Sequence, residues 1–85
     1  METFFSHLNF LREFVVDPEG SQFHDLATAG SEARQAIRDM AAERLKDRRQ
    51  FTLWSIRICD DQNRLVAEVF APEALTEVIS PMFWF

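Results

Sequence analysis

His7, His24, Cys59 and the adjacent pair Asp60-Asp61 are the residues of this chain whose types most readily do chemistry. A histidine titrates near neutrality and can carry a proton or ligate a metal, but either task needs partners. The two histidines do not form a ligand-spaced pair, and neither has an evident nucleophile in its segment. Asp17, Glu19 and Asp25 lie near His24 without a recognised ligand spacing, and the two aspartates are already explained by turn and cap chemistry. Cys59 would become a nucleophile only beside a base or cation that lowers its pKa. It falls on a strand with no such base identifiable, and reads as a half-exposed structural cysteine. Asp60-Asp61 has the form of a carboxylate pair for acid and base work, yet a hairpin turn accounts for it. No catalytic, cofactor-binding or metal-ligating residue is assigned, and no cofactor is expected.

Two further groups bear on binding rather than catalysis. Arg34, Arg38, Lys46, Arg48 and Arg49 fall where a basic strip would run along the outer side of a helix, and Phe4, Phe5, Phe51 and Trp54 are aromatics on which bases can stack. Glu32, Asp39, Glu43 and Asp47 interleave with the basic residues at spacings that allow intrahelical ion pairs, the pattern of a solvated mixed-charge face. Arg44 differs, because it projects near the middle of the apolar stripe, where it must snorkel past the sheet end or pair with a carboxylate. The tail residues Met82, Phe83, Trp84 and Phe85 form the second group. Four large apolar side chains pack somewhere, either into the domain's own core or against a second copy or another protein.

The elements that would position these residues are legible from periodicity and turn chemistry. Thr3 to Leu8 reads as a strand and Asn9 to Arg12 as its turn; Glu13 to Val16 resumes an apolar run. That run stops at Asp17-Pro18-Glu19-Gly20, where Asp suits the first turn position, Pro fixes φ at the second and Gly tolerates positive φ. Ser21 to His24 is a short extended piece. Asp25 then caps a helix expected to run to about Arg48, with Leu26, Gly30, Ala33, Ile37, Met40 and Ala41 on its buried stripe. From Phe51 to Asp60 the period becomes two, placing Trp54, Ile56 and Ile58 on one side and Ser55, Arg57 and Cys59 on the other, as in a half-buried strand. Asp60 to Asn63 makes a hairpin loop in which Asn63 takes the left-handed region, and Leu65 to Phe70 returns as the partner strand. Pro72 opens a short helix to about Val78. Two hairpins flanking one helix give a two-layer α+β domain: a four-stranded, mainly antiparallel sheet in the order β-β-α-β-β, with the long helix across one face.

With 85 residues, the chain has room for a single domain, residues 1–85, in which about 76–85 form the apolar tail. A domain of this size buries only about 60% of its unfolded surface, so self-association would add welcome stability. The balance of 9 basic against 14 acidic side chains gives a net charge of -5, which counts against general affinity for nucleic acid or anionic membranes. One cysteine cannot form an internal disulfide, and a lone thiol fits a reducing compartment, so a cytoplasmic location is expected. The first residues lack the basic start and apolar run of a signal peptide, and no stretch approaches the length of a membrane span.

Phe4-Phe5-Ser6-His7, Asp17-Pro18-Glu19-Gly20, Asp25-Leu26 at the head of an Ala-rich helix, and Asp60-Asp61-Gln62-Asn63-Arg64-Leu65-Val66 occur in an order and spacing that resembles a group of short bacterial proteins known only as a domain of unknown function. The resemblance spans roughly residues 4 to 75. Members of that family often carry aromatic-Phe-Phe-His, Asp-x-Glu-Gly and Asp-Glu-x-Gly-Arg at these places; here Ser6 replaces an aromatic and Asn63 replaces Gly. The resemblance implies a shared fold and lends no activity, cofactor or catalytic residue. The leading expectation is a noncatalytic interaction module forming a homodimer through strand edges and the terminal aromatics. The alternative is a small regulatory nucleic-acid-binding protein using the arginine strip.

Overall fold

The computed structural model describes residues 1–76. The tail residues Met82, Phe83, Trp84 and Phe85 and the expected end of the last helix at Val78 lie outside them. Among the described residues seven elements follow one another: β1 (Glu2–Phe10), β2 (Phe14–Val15), β3 (Ser21–Phe23), α1 (Leu26–Lys46), β4 (Leu53–Cys59), β5 (Leu65–Phe70) and α2 (Ala71–Thr76). All strand pairings are antiparallel, in the order β2-β1-β4-β5, with β3 also on β1. This is the expected two-layer α+β architecture.

The second strand comes in two pieces. Val15 sits opposite Leu8 and Ser21 opposite Phe4, so β2 and β3 line one side of β1 with the Asp17-Pro18-Glu19-Gly20 turn between them. Where the strand is interrupted, the Asp17 side chain takes over its ladder role, accepting the Ser6 backbone N–H at 3.1 Å. Asp17 also accepts from the N–H groups of Glu19 and Gly20, at 3.3 and 3.0 Å, which closes the turn. Gly20 has φ +72°, and a Cβ there would lie 2.9 Å from Phe5 Cε1 and 3.1 Å from the Phe4 carbonyl oxygen. The turn therefore requires glycine on two counts. β1 itself runs two residues further than the expected turn allowed, because Phe10 N–H donates to the Glu13 carbonyl and Leu11 N–H to that of Thr52.

Helix α1 begins as its sequence dictates. The Asp25 carboxylate accepts from the Thr28 N–H at 2.8 Å and from its hydroxyl at 2.7 Å, satisfying donors that the first turn leaves free. Its end is a Schellman motif: Arg48 N–H donates to the Leu45 carbonyl and Arg49 N–H to that of Arg44, with Arg48 held at φ 57°. The buried stripe is Ala29, Gly30, Ala33 and Ile37, with Ala36 and Met40 packed beside it. Leu26, expected on that stripe, is exposed; the first turn extends past the sheet. Small side chains let the helix lie close to Phe4, Leu53, Ile56 and Ile58, and Ala71 and Ala74 of α2 complete the core.

Strand β4 departs from the half-buried expectation in an informative way. It is a central strand, and Ser55 and Cys59 are buried along with Ile56 and Ile58. Asn9 pairs with Ser55 but Phe10 pairs with Leu53, so Trp54 is the extra residue of a β-bulge. The bulge resets the alternation: Leu53 joins Ile56 and Ile58 in the core, while Trp54 is 46% exposed and meets Phe70 edge-on at 6.0 Å. A second irregularity leaves Val66 unmatched between the pairs Ile58–Ala67 and Cys59–Leu65.

Candidate functional site

Cross-strand pairing sets which side chains share the sheet face turned away from α1. One row across that face is Asn9, Ser55 and Phe70; the next is His7, Arg57 and Glu68; the third is Phe5, Cys59 and Leu65. The face thus holds a polar centre flanked by apolar and aromatic residues. Fully buried Ser55 is satisfied on both counts, accepting from Asn9 Nδ2 at 3.2 Å and donating to Glu68 Oε2 at 2.6 Å. Glu68 also faces Arg57, with Nε to Oε2 at 3.8 Å, an ion pair too long for a hydrogen bond. The buried Arg57 Nε has no hydrogen-bond acceptor among the described residues.

His7 is buried and oriented by the interrupted strand. The Asp17 backbone N–H donates to its Nδ1 at 3.0 Å, which leaves the proton of the neutral ring on Nε2. Phe5 stacks near the ring at 6.4 Å and Phe14 tilts against it at 5.7 Å. Burial pushes the Asp17 carboxyl up, but the amides of Gly20, Ser6 and Glu19 outweigh that and hold it below its usual range. A cleft of about 430 Å³ opens beside the ring, walled by His7, Phe14, Val16, Arg57, Cys59, Asn63 and Leu65.

The structure thereby brings His7 and Cys59 to one cleft, with Arg57 beside His7 in its row, a grouping that sequence spacing does not reveal. Cys59 is buried rather than half-exposed. His24 is exposed at the end of β3, and Asp25 is committed to its cap. Asp60 accepts from the Gln62 and Arg64 N–H groups and pairs with the Arg64 guanidinium at 3.0 Å. Hydrogen bonding by the Arg64 backbone leads the effects that lower its pKa, against a smaller upward push from burial. Asn63 has φ 61°, the left-handed conformation expected of it. The signal that was available for the cleft is the alternation of Arg57 and Cys59 on the second side of β4. What was missing is the β1–β4 register, which sets His7 opposite Arg57.

The basic residues Arg34, Arg38, Lys46, Arg48 and Arg49 lie along α1 and just past its end. Arg38 donates to Gln35 at 3.4 Å, Gln35 to Asp39 at 2.9 Å, and Arg49 pairs with Asp47 at 2.7 Å. Arg44 lines a hollow at the sheet end with Phe10, Met40, Glu43, Arg49, Phe51 and Thr52. No helix among the described residues is long and apolar enough to cross a membrane.

A two-layer domain with an α1-covered sheet face and an open face is the class that these elements define. Residues 3–72 match the family model of a domain of unknown function, DUF6894, and the chain belongs to that family. No curated protein and no solved structure matches the chain.

Proposed function

We propose that this protein is a noncatalytic interaction module that self-associates by pairing β5 with β5 of a second copy. The observation that carries this reading is the state of that edge. Among the described residues, β5 is paired on one side by β4 and has no strand on the other. Natural edge strands are usually blunted by outward charges, prolines or coverage. Here Leu65–Phe70 holds no proline, and its one charged residue, Glu68, is turned onto the sheet face toward Ser55 and Arg57. An antiparallel strand pairs with a copy of itself about a two-fold axis, so identical chains complement each other without further design. Leu65 and Val66 are exposed at the start of that edge, and Trp54 extends the apolar surface beside Phe70.

Light scattering across a concentration series tests the proposal, comparing the chain with Val66→Lys, a charge placed beside the edge at an exposed position. The expected result is a concentration-dependent dimer that the substitution dissociates into folded monomers. A monomer at every concentration, or a dimer indifferent to Val66→Lys, would overturn it.

A further inference from the structure

We propose that the cleft between His7, Arg57 and Leu65 is a binding site for a small carboxylate with an apolar tail. Its volume of about 430 Å³ falls within the range of small-molecule sites. The donors are unspent. Arg57 carries five N–H groups in a planar fork that matches a carboxylate, yet it makes no hydrogen bond among the described residues, and its Nε is buried without an acceptor. His7, 8% exposed, has Nδ1 occupied by the Asp17 N–H, which leaves Nε2–H as the ring's second donor at the cleft wall. The rest of the guanidinium is accessible, the Arg57 side chain being 43% exposed, and a carboxylate in the cleft accepts charge-assisted hydrogen bonds from it and from the ring N–H.

The remaining walls define the rest of the ligand. Phe14, Val16 and Leu65 are exposed and apolar, at 47, 58 and 48%, and together they offer a tail a surface to cover. Glu68 stands 3.8 Å from the Arg57 Nε and already supplies one negative charge. That charge favours a singly charged carboxylate over a phosphate dianion. The site lies on the sheet face and does not depend on β5 pairing.

The test is an amide-resolved NMR titration of the full chain with hexanoate, with hexanamide and inorganic phosphate as the comparison probes. Saturable shifts centred on His7, Arg57 and Leu65 are expected with hexanoate. Affinity for hexanamide and for phosphate should be weaker by about tenfold or more, the scale of a charge-assisted hydrogen bond. Arg57→Gln should weaken hexanoate binding by a similar factor. Equal binding of hexanoate and hexanamide would mean an apolar groove without anion recognition and would overturn the proposal. So would stronger binding of phosphate, or an absence of saturable shifts. Should Arg57→Gln fail to fold, the comparison of the three probes on the unaltered chain still decides the matter.

Discussion

Asp17 holds three backbone amides and, through its own N–H, the ring of His7. Burial alone would raise its carboxyl pKa; the Gly20, Ser6 and Glu19 amides reverse that and lower it from the usual 3.8. A folded-state pKa below the unfolded one contributes stability that is present above the unfolded value and lost as pH falls through the folded one. Stability should therefore decline on acidification below about pH 4. Asp17→Asn should be less stable than the parent at neutral pH, and the gap should narrow as pH falls through that window in thermal melts. A pH-independent gap would assign the effect of Asp17 to shape rather than charge. Two left-handed positions make opposite predictions. Gly20→Ala forces a Cβ against Phe5 and the Phe4 carbonyl at φ +72° and should cost about 1–3 kcal/mol. Arg48→Gly relieves a side chain of the same conformation at the helix end and should raise stability by up to about 1 kcal/mol. Denaturant midpoints at unchanged slope would check both.

At the scale of elements, turn and cap chemistry were the legible part. Asp-Pro-Glu-Gly, the Asp25 cap, Asn63 and the period-two run of β4 each identify their structure, because each depends on neighbours within a few residues. Relations across the sheet were not legible. The Trp54 bulge moves one aromatic out to solvent and pulls Leu53 into the core, and nothing in the alternation of β4 announces an extra residue. For the same reason the Asn9–Ser55–Glu68 chain and the His7–Arg57 row were hidden, since three strands must be aligned before they meet. Ser55→Ala removes the donor to Glu68 in a fully buried position and should cost about 1–3 kcal/mol. Ile37, fully buried where α1 meets the sheet, should cost about 2–5 kcal/mol on truncation to Ala. A loss of well under 1 kcal/mol at Ile37 would contradict the helix-on-sheet core.

For the whole molecule, the two faces of the sheet divide the work. One face buries its apolar residues under α1 and α2; the other keeps a hydrogen-bonded polar centre and an open cleft. The two outer edges also differ. The β2–β3 edge is broken by a turn and bound through Asp17, whereas β5 is continuous from Ala67 to Phe70. Self-association through β5 is the central claim, and amide hydrogen exchange at low and high protein concentration tests it most directly. The account predicts that β5 amides exchange more slowly at high concentration while those of β2 and β3 are unchanged. Equal exchange of β5 at both concentrations, or protection that appears on β2 and β3 instead, would contradict it.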